Sequence, residues 1–128
     1  KTIEEIINDT DFIFVNFANA DMVGHTANHE AIIVAIEELD KQLKRIFESA
    51  QDKNAIVLIT ADHGNAEINI DQKTGEKHTS HTTSPVPIIV TDKNLKLRSG
   101  TLADIAPTVL KLFGIDIPKS MTGKILTD

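Results

Sequence analysis

Apolar positions change their period several times along this 128-residue chain, and each change marks an element. Phe12, Ile13, Phe14, Val15 and Phe17 form a short, almost uninterrupted apolar run, the pattern of a strand buried on both faces of a sheet. From about 26 to 50 the spacing shifts to three and four. Ile32, Ile36, Leu39, Leu43 and Ile46 then share one stripe, which predicts the longest helix. Residues 55–60 read as a second buried strand and 85–90 as another, with Pro85 and Pro87 near its start, where a missing backbone donor is tolerated. Residues 69–77 are polar and hold Asp71, Lys73 and Gly75, as an exposed loop or hairpin tip does. Thr101 can cap a helix with Asp104 in its first turn and an apolar face of Leu102, Ile105, Val109 and Leu112. Gly114 supplies the stop, and Pro107 predicts a bent or restarted first turn. The tail, 115–128, carries Pro118 and Gly123 and reads as an irregular closing segment.

Strands alternating with helices imply an α/β fold, a mostly parallel sheet flanked by helices, in which ligands bind outside the carboxyl ends of the strands. The length suits a single unit, 1–128, with no repeat, linker or low-complexity tract. Composition, at 41% hydrophobic and 25% charged, is that of an ordinary globular chain, and no apolar run approaches membrane-spanning length. A net charge of -6 opposes binding to nucleic acid or to an anionic membrane, both of which need a basic footprint. There is no cysteine and no signal-peptide pattern, so the cytoplasm is the expected compartment. The missing initiator methionine is read as a cut within a longer protein.

Three segments carry the chemistry: Asp21 with His25, Asp62 with His63 and Gly64, and His78 with His81. They place four of the five histidines beside carboxylates. Carboxylate oxygens suit hard divalent cations, imidazole adds nitrogen donors, and the lack of cysteine removes thiolate sites, so the set reads as a metal site, with two metals favoured over one. Each pair has a plainer reading. Asp21 and His25 suit a helix-start acid and a surface histidine. Asp62 and His63 suit a turn with an Asx-type hydrogen bond, and His78 and His81 suit an exposed loop. His29 reads as a solvent-facing or capping residue. The metal reading therefore requires the three segments to converge in space.

The wording of the segments resembles one family: NFANADMVGHT at 16–26, TADHGNAE at 60–67 and HTSHTTSPVP at 78–87, continuing through LADIAPTVL at 102–110 and PKSMTG at 118–123. These are similar to the 2,3-bisphosphoglycerate-independent (cofactor-independent) phosphoglycerate mutases of the alkaline phosphatase superfamily. The resemblance implies an alkaline phosphatase-like fold of which 1–128 is the carboxyl-terminal, metal-binding portion, without the amino-terminal segment and the inserted substrate domain. It implies two manganese ions and interconversion of 3-phosphoglycerate and 2-phosphoglycerate in glycolysis through a phosphoserine. Carried over residue by residue, Asp21, His25 and His81 are ligands of the first manganese. Asp62 and His63 belong to the second, whose aspartate and nucleophilic serine this chain lacks. His81 is preferred to His78 because a threonine and then the Val-Pro strand follow it, which leaves His78 as a neighbour of the site. Ala27 stands where the family commonly has glycine.

None of Ser49, Ser80, Ser84, Ser99 and Ser120 matches the nucleophile, so no catalytic residue is assigned and the chain alone is expected to be inactive. At most one complete manganese site is expected here. Arg45 and Arg98 lie away from the motifs, so phosphoglycerate must be gripped by the remainder of the parent chain. Two alternatives remain open on these residues: another two-metal phosphotransferase of the superfamily, phosphopentomutase-like, or a stand-alone metal-binding module.

Overall fold

The computed structural model describes residues 1–128, and the chain divides into two units. The first comprises 1–57 with 63–86, and the second 58–62 with 87–128.

In the first unit, α1 (Thr2–Ile7) and α2 (Asn19–Gly24) both pack on α3 (His29–Asp52). Ile6 of α1 is buried, and Lys53 just beyond α3 reaches Asp9 at 2.8 Å. The helix expected from about residue 26 starts at His29 instead, because Ala27 takes a left-handed φ of 45° and Asn28 is extended. The Asn28 side chain then accepts the Ala31 N–H at 3.2 Å, closing the first turn. Along the predicted stripe Ile32 is buried and Leu39, Leu43 and Ile46 are half-buried, but Ile36 is exposed. Residues 63–86 form no helix. Single bridges at Gly64–Thr82 and Ile70–Lys77 fold this stretch back on itself, and Asp71 accepts the N–H groups of Lys73 and Thr74 to shape the tip.

Residues 12–17 belong to no strand, contrary to the expectation from their apolar run, and Phe14 is 81% exposed. An apolar run becomes a strand only when neighbouring strands take its backbone groups.

The second unit holds the sole ladder. β1 (Leu58–Thr60) and β2 (Ile88–Val90) pair with Leu58 opposite Val90 and Thr60 opposite Ile88. The pair is antiparallel, and these two strands alone do not form the mostly parallel sheet expected. A parallel pair needs a crossover, usually helical, and residues 61–87 contain no helix. Pro85 and Pro87 lack the ladder donor, so pairing begins only at Ile88. Further on, a 3-10 turn (Leu102–Asp104) leads into α4 (Ile105–Leu112), the restarted first turn that Pro107 predicts. Thr101 and Asp104 form a reciprocal capping box. The same Asp104 carboxylate accepts the Lys124 N–H at 2.6 Å, and the fully buried Thr108 hydroxyl donates to the Asp104 carbonyl while accepting the Leu126 N–H. Two bonds, one to each of these side chains, thus pin the irregular tail to the 3-10 turn and α4. A side chain at Gly123 would strike the Ala103 carbonyl, so the tail can lie this close only with glycine there.

Candidate metal centre

The site lies in the first unit. α2 is a single short helix, and the i, i+4 spacing of Asp21, in its first turn, and His25, at its C-cap, sets both side chains on one face. His81 arrives from the returning stretch, held in register where the Thr82 N–H donates to the Gly64 carbonyl at 2.8 Å. Three atoms converge: His81 Nε2 lies 3.1 Å from Asp21 Oδ1 and 3.2 Å from His25 Nε2, and the remaining side, His25 Nε2 to Asp21 Oδ1, is 3.3 Å. All three side chains are partly open to solvent.

The groups around this triangle orient its donors. His25 Nδ1 lies 2.6 Å from the Thr79 carbonyl, which can only accept, so Nδ1 carries the proton and Nε2 turns its lone pair to the centre. Buried Asn65 donates its amide to Asp21 Oδ1 at 2.7 Å and more weakly to the Asp21 carbonyl. That amide, aided by the imidazoles of His25, His81 and His63, holds the Asp21 carboxyl below its ordinary value. The ring of His63 stacks on that of His81 with centroids 3.6 Å apart. Glu67 accepts the Thr82 hydroxyl in a very short bond and the Asn65 N–H at 2.8 Å. The Thr82 hydroxyl above all, with Ser84 and the Asn65 N–H, lowers its carboxyl to about 2.

A first-row ion with bonds of about 2.0–2.2 Å spaces neighbouring donors about 3.0–3.5 Å apart, and the triangle has that size. Two neutral imidazole nitrogens and one carboxylate oxygen suit such an ion and leave positions open for other ligands, and His25 already has the outer hydrogen bond that metal-binding histidines use. The residues therefore fit a divalent metal.

Of the residues singled out in the sequence, Asp21, His25 and His81 meet as one donor cluster. His63 stands beside it through the ring stack but is not a member. Asp62 ends the 58–62 segment of the second unit and lies outside the cluster. His78 is half-buried with an Nδ1 that has no hydrogen-bond partner, and it too lies outside. His29 opens α3 with its ring 3.3 Å from the Asn69 side chain, and the cap is its neighbour Asn28. Asn65, Glu67, Thr79 and Thr82 were not singled out by the sequence reading. Three of them act through a hydrogen bond to a ligand or its neighbour, and Thr79 acts through a backbone carbonyl, which no residue type advertises. Asn65 and Glu67 lie within the TADHGNAE segment, and that position was the one available signal.

A carboxylate and two imidazoles converging in this way form the donor set of a metalloenzyme, and comparison with known proteins agrees. The chain belongs to the metalloenzyme superfamily, whose family profile matches residues 1–117. Among its relatives, the 2,3-bisphosphoglycerate-independent phosphoglycerate mutase of Mycoplasma mycoides is 53% identical over 132 residues, covering 100% of this chain and 25% of that protein. The enzyme of the same name from Paracoccus denitrificans is 49% identical over 98% of the chain and 25% of its own length. The crystal structure of Leishmania mexicana phosphoglycerate mutase at low cobalt concentration superposes with a TM-score of 0.85 at 28% identity, covering 98% of this chain and 26% of that one. The chain thus spans about a quarter of the length of the relatives it matches. No helix is long and apolar enough to cross a membrane.

Proposed function

We propose that this chain is the carboxyl-terminal, metal-binding portion of a 2,3-bisphosphoglycerate-independent phosphoglycerate mutase. In this reading the parent is a cytoplasmic glycolytic isomerase that interconverts 3-phosphoglycerate and 2-phosphoglycerate through a phosphoserine. The observation that carries the reading is the closed Asp21–His25–His81 triangle in a chain 53% identical to such an enzyme along its whole length. Asp21, His25 and His81 hold one manganese. Asp62 and His63 contribute to a second, completed by an aspartate and the nucleophilic serine from another part of the parent. His78 neighbours the site without binding metal.

Bound manganese holds phosphoryl oxygens and lowers the pKa of the attacking hydroxyl. The chain's own residues prepare that site. Thr79 fixes the His25 tautomer, and Asn65 keeps Asp21 ionised and aimed. The carboxylate and phosphate of the substrate are met by residues outside this chain, because its two arginines are engaged elsewhere, Arg45 with Gln42 and Arg98 with Asp128. We assign the apolar run 12–17 to a mostly parallel sheet completed by the remainder of the parent, which would cover Phe12 and Phe14. Neither nucleic acid nor membrane is a partner.

The test is manganese titration of the metal-stripped chain, followed by electron paramagnetic resonance, beside an Asp21→Ala, His81→Ala double variant. One specific site, lost in the variant, is expected, with no mutase turnover by the chain alone. The parent enzyme should turn over and lose that activity to a chelator. Absence of any specific site in the wild-type chain overturns the metal assignment.

A further inference from the structure

Between them, the hydrogen bonds of Glu67 and Asn65 reach all three segments of the site. Glu67 takes the hydroxyl of Thr82, the residue after His81, and the backbone N–H of Asn65, two residues after His63. Asn65 in turn donates its side chain to Asp21. Beside the rings the two loops share a single backbone bridge, Gly64–Thr82; the next backbone contacts, the His78 N–H to the Asn69 carbonyl and the Ile70–Lys77 bridge, lie farther along, and one bridge at the rings does not fix the local twist. The carboxylate adds side-chain bonds on both sides of it. Gly64 makes this possible, because a side chain there would occupy the space of the Thr82 hydroxyl and the Glu67 carboxylate. Held this way, the His81 ring is stacked on His63 and its Nε2 points at Asp21 and His25.

We infer that Glu67 is a positioning residue for the metal centre: its carboxylate locks the His81 loop to the His63 loop and so preassembles the imidazole donors. The metal-binding consequence rests on the manganese reading above, whereas the placement of His81 does not. A carboxylate suits this task better than an amide, because both oxygens accept and the two donors approach different ones, Oε1 and Oε2. Glutamine can satisfy only one of them.

The test uses the 128-residue chain with Glu67→Ala, Glu67→Gln and Thr82→Ser. Manganese titration measures affinity, and nuclear magnetic resonance of the metal-free chain measures the proximity of the His63 and His81 rings. Glu67→Ala should lower manganese affinity about 10- to 100-fold, the usual cost of losing an outer partner, and abolish the ring contact. Thr82→Ser keeps the hydroxyl and should behave as wild type, with Glu67→Gln in between. If Glu67→Ala does not fold, Thr82→Val removes the hydroxyl that donates to Glu67, with a weak bond from the Ser84 N–H, and carries the same expectation. Wild-type ring contacts and affinity in Glu67→Ala overturn the inference, as does an affinity loss no larger than its loss of folded fraction by circular dichroism. If the wild-type chain takes up no manganese, the metal reading fails, and the ring contact in Glu67→Ala still decides the role of Glu67.

Discussion

Gly24→Ala tests the link between helix packing and donor geometry, because local and tertiary effects predict opposite signs. Gly24 is the last residue of α2, and by propensity alone alanine would stabilise the helix by up to about 1 kcal/mol. An added Cβ, however, would lie 2.5 Å from Oδ1 and 2.8 Å from Cγ of Asn65. Carbon and its neighbours prefer about 3.5 Å, so the amide must give by about 1 Å. Asn65 is only 6% exposed and has little room to yield. A shift of that size breaks its 2.7 Å bond to Asp21 and leaves a buried amide unsatisfied, at a cost of about 1–3 kcal/mol. We therefore expect a net loss of about 1–2 kcal/mol in urea denaturation. Manganese affinity should fall about 10- to 100-fold, as when an outer partner of a ligand is removed. The Asp21 carboxyl should also rise toward its ordinary value. A Gly24→Ala chain that is more stable and binds manganese as wild type would refute the reasoning, since it would mean that Asn65 neither fills that space nor orients Asp21.

Two further outcomes concern the backbone and the second unit. The N–H groups of Lys124 and Thr101 hold the Asp104 carboxyl below its ordinary 3.8, so its stabilisation is fully present above that value and is lost as pH falls through the lowered one. Protection of the Leu126 amide, its exchange rate measured against the intrinsic rate at each pH, should fall on acidification in the wild type. In Asp104→Asn protection should already be lower at neutral pH and should change less with acid; parallel profiles would count against the role given to Asp104. Ala27 sits at a positive φ that costs an L-residue about 1–2 kcal/mol, but glycine there gives back about 0.5–1 kcal/mol in chain entropy and loses a buried methyl. Ala27→Gly should therefore move stability by less than about 1 kcal/mol. Ala27→Val, branched at that φ, should lose about 2 kcal/mol in thermal denaturation, and equal melting of the two variants would argue against the left-handed turn.

Signals confined to one element were legible in the sequence. The three-and-four spacing yields α3, Thr101 with Asp104 yields a cap, and Pro107 yields the restarted turn, because each depends on residues within a few positions. The run 12–17 shows the limit: its composition describes a buried strand, but pairing is decided by neighbours that no local pattern reveals. The direction of the β1–β2 pair could not be read locally either, since it depends on the connection between the strands. At the site, residue types and family wording single out Asp21, His25 and His81, while spacing alone leaves their meeting undetermined. The groups that aim them were harder still to see. Thr79 contributes a main-chain oxygen, and Asn65 and Glu67 act on residues 44 and 15 positions away.

The span between donors also sets an order of events during synthesis. His81 follows Asp21 by 60 residues, so a ribosome adding about 5–20 residues per second leaves Asp21 and His25 without their third donor for about 3–12 seconds. In that interval α2 and much of α3 can form, since helices need only their own residues. A metal ion meeting the nascent chain finds two donors on a short helix, and durable capture must wait for the return loop. On the proposed ligand set, metal loading would therefore be a late step, and a chain that had loaded its ion would already have closed the loop that carries His81.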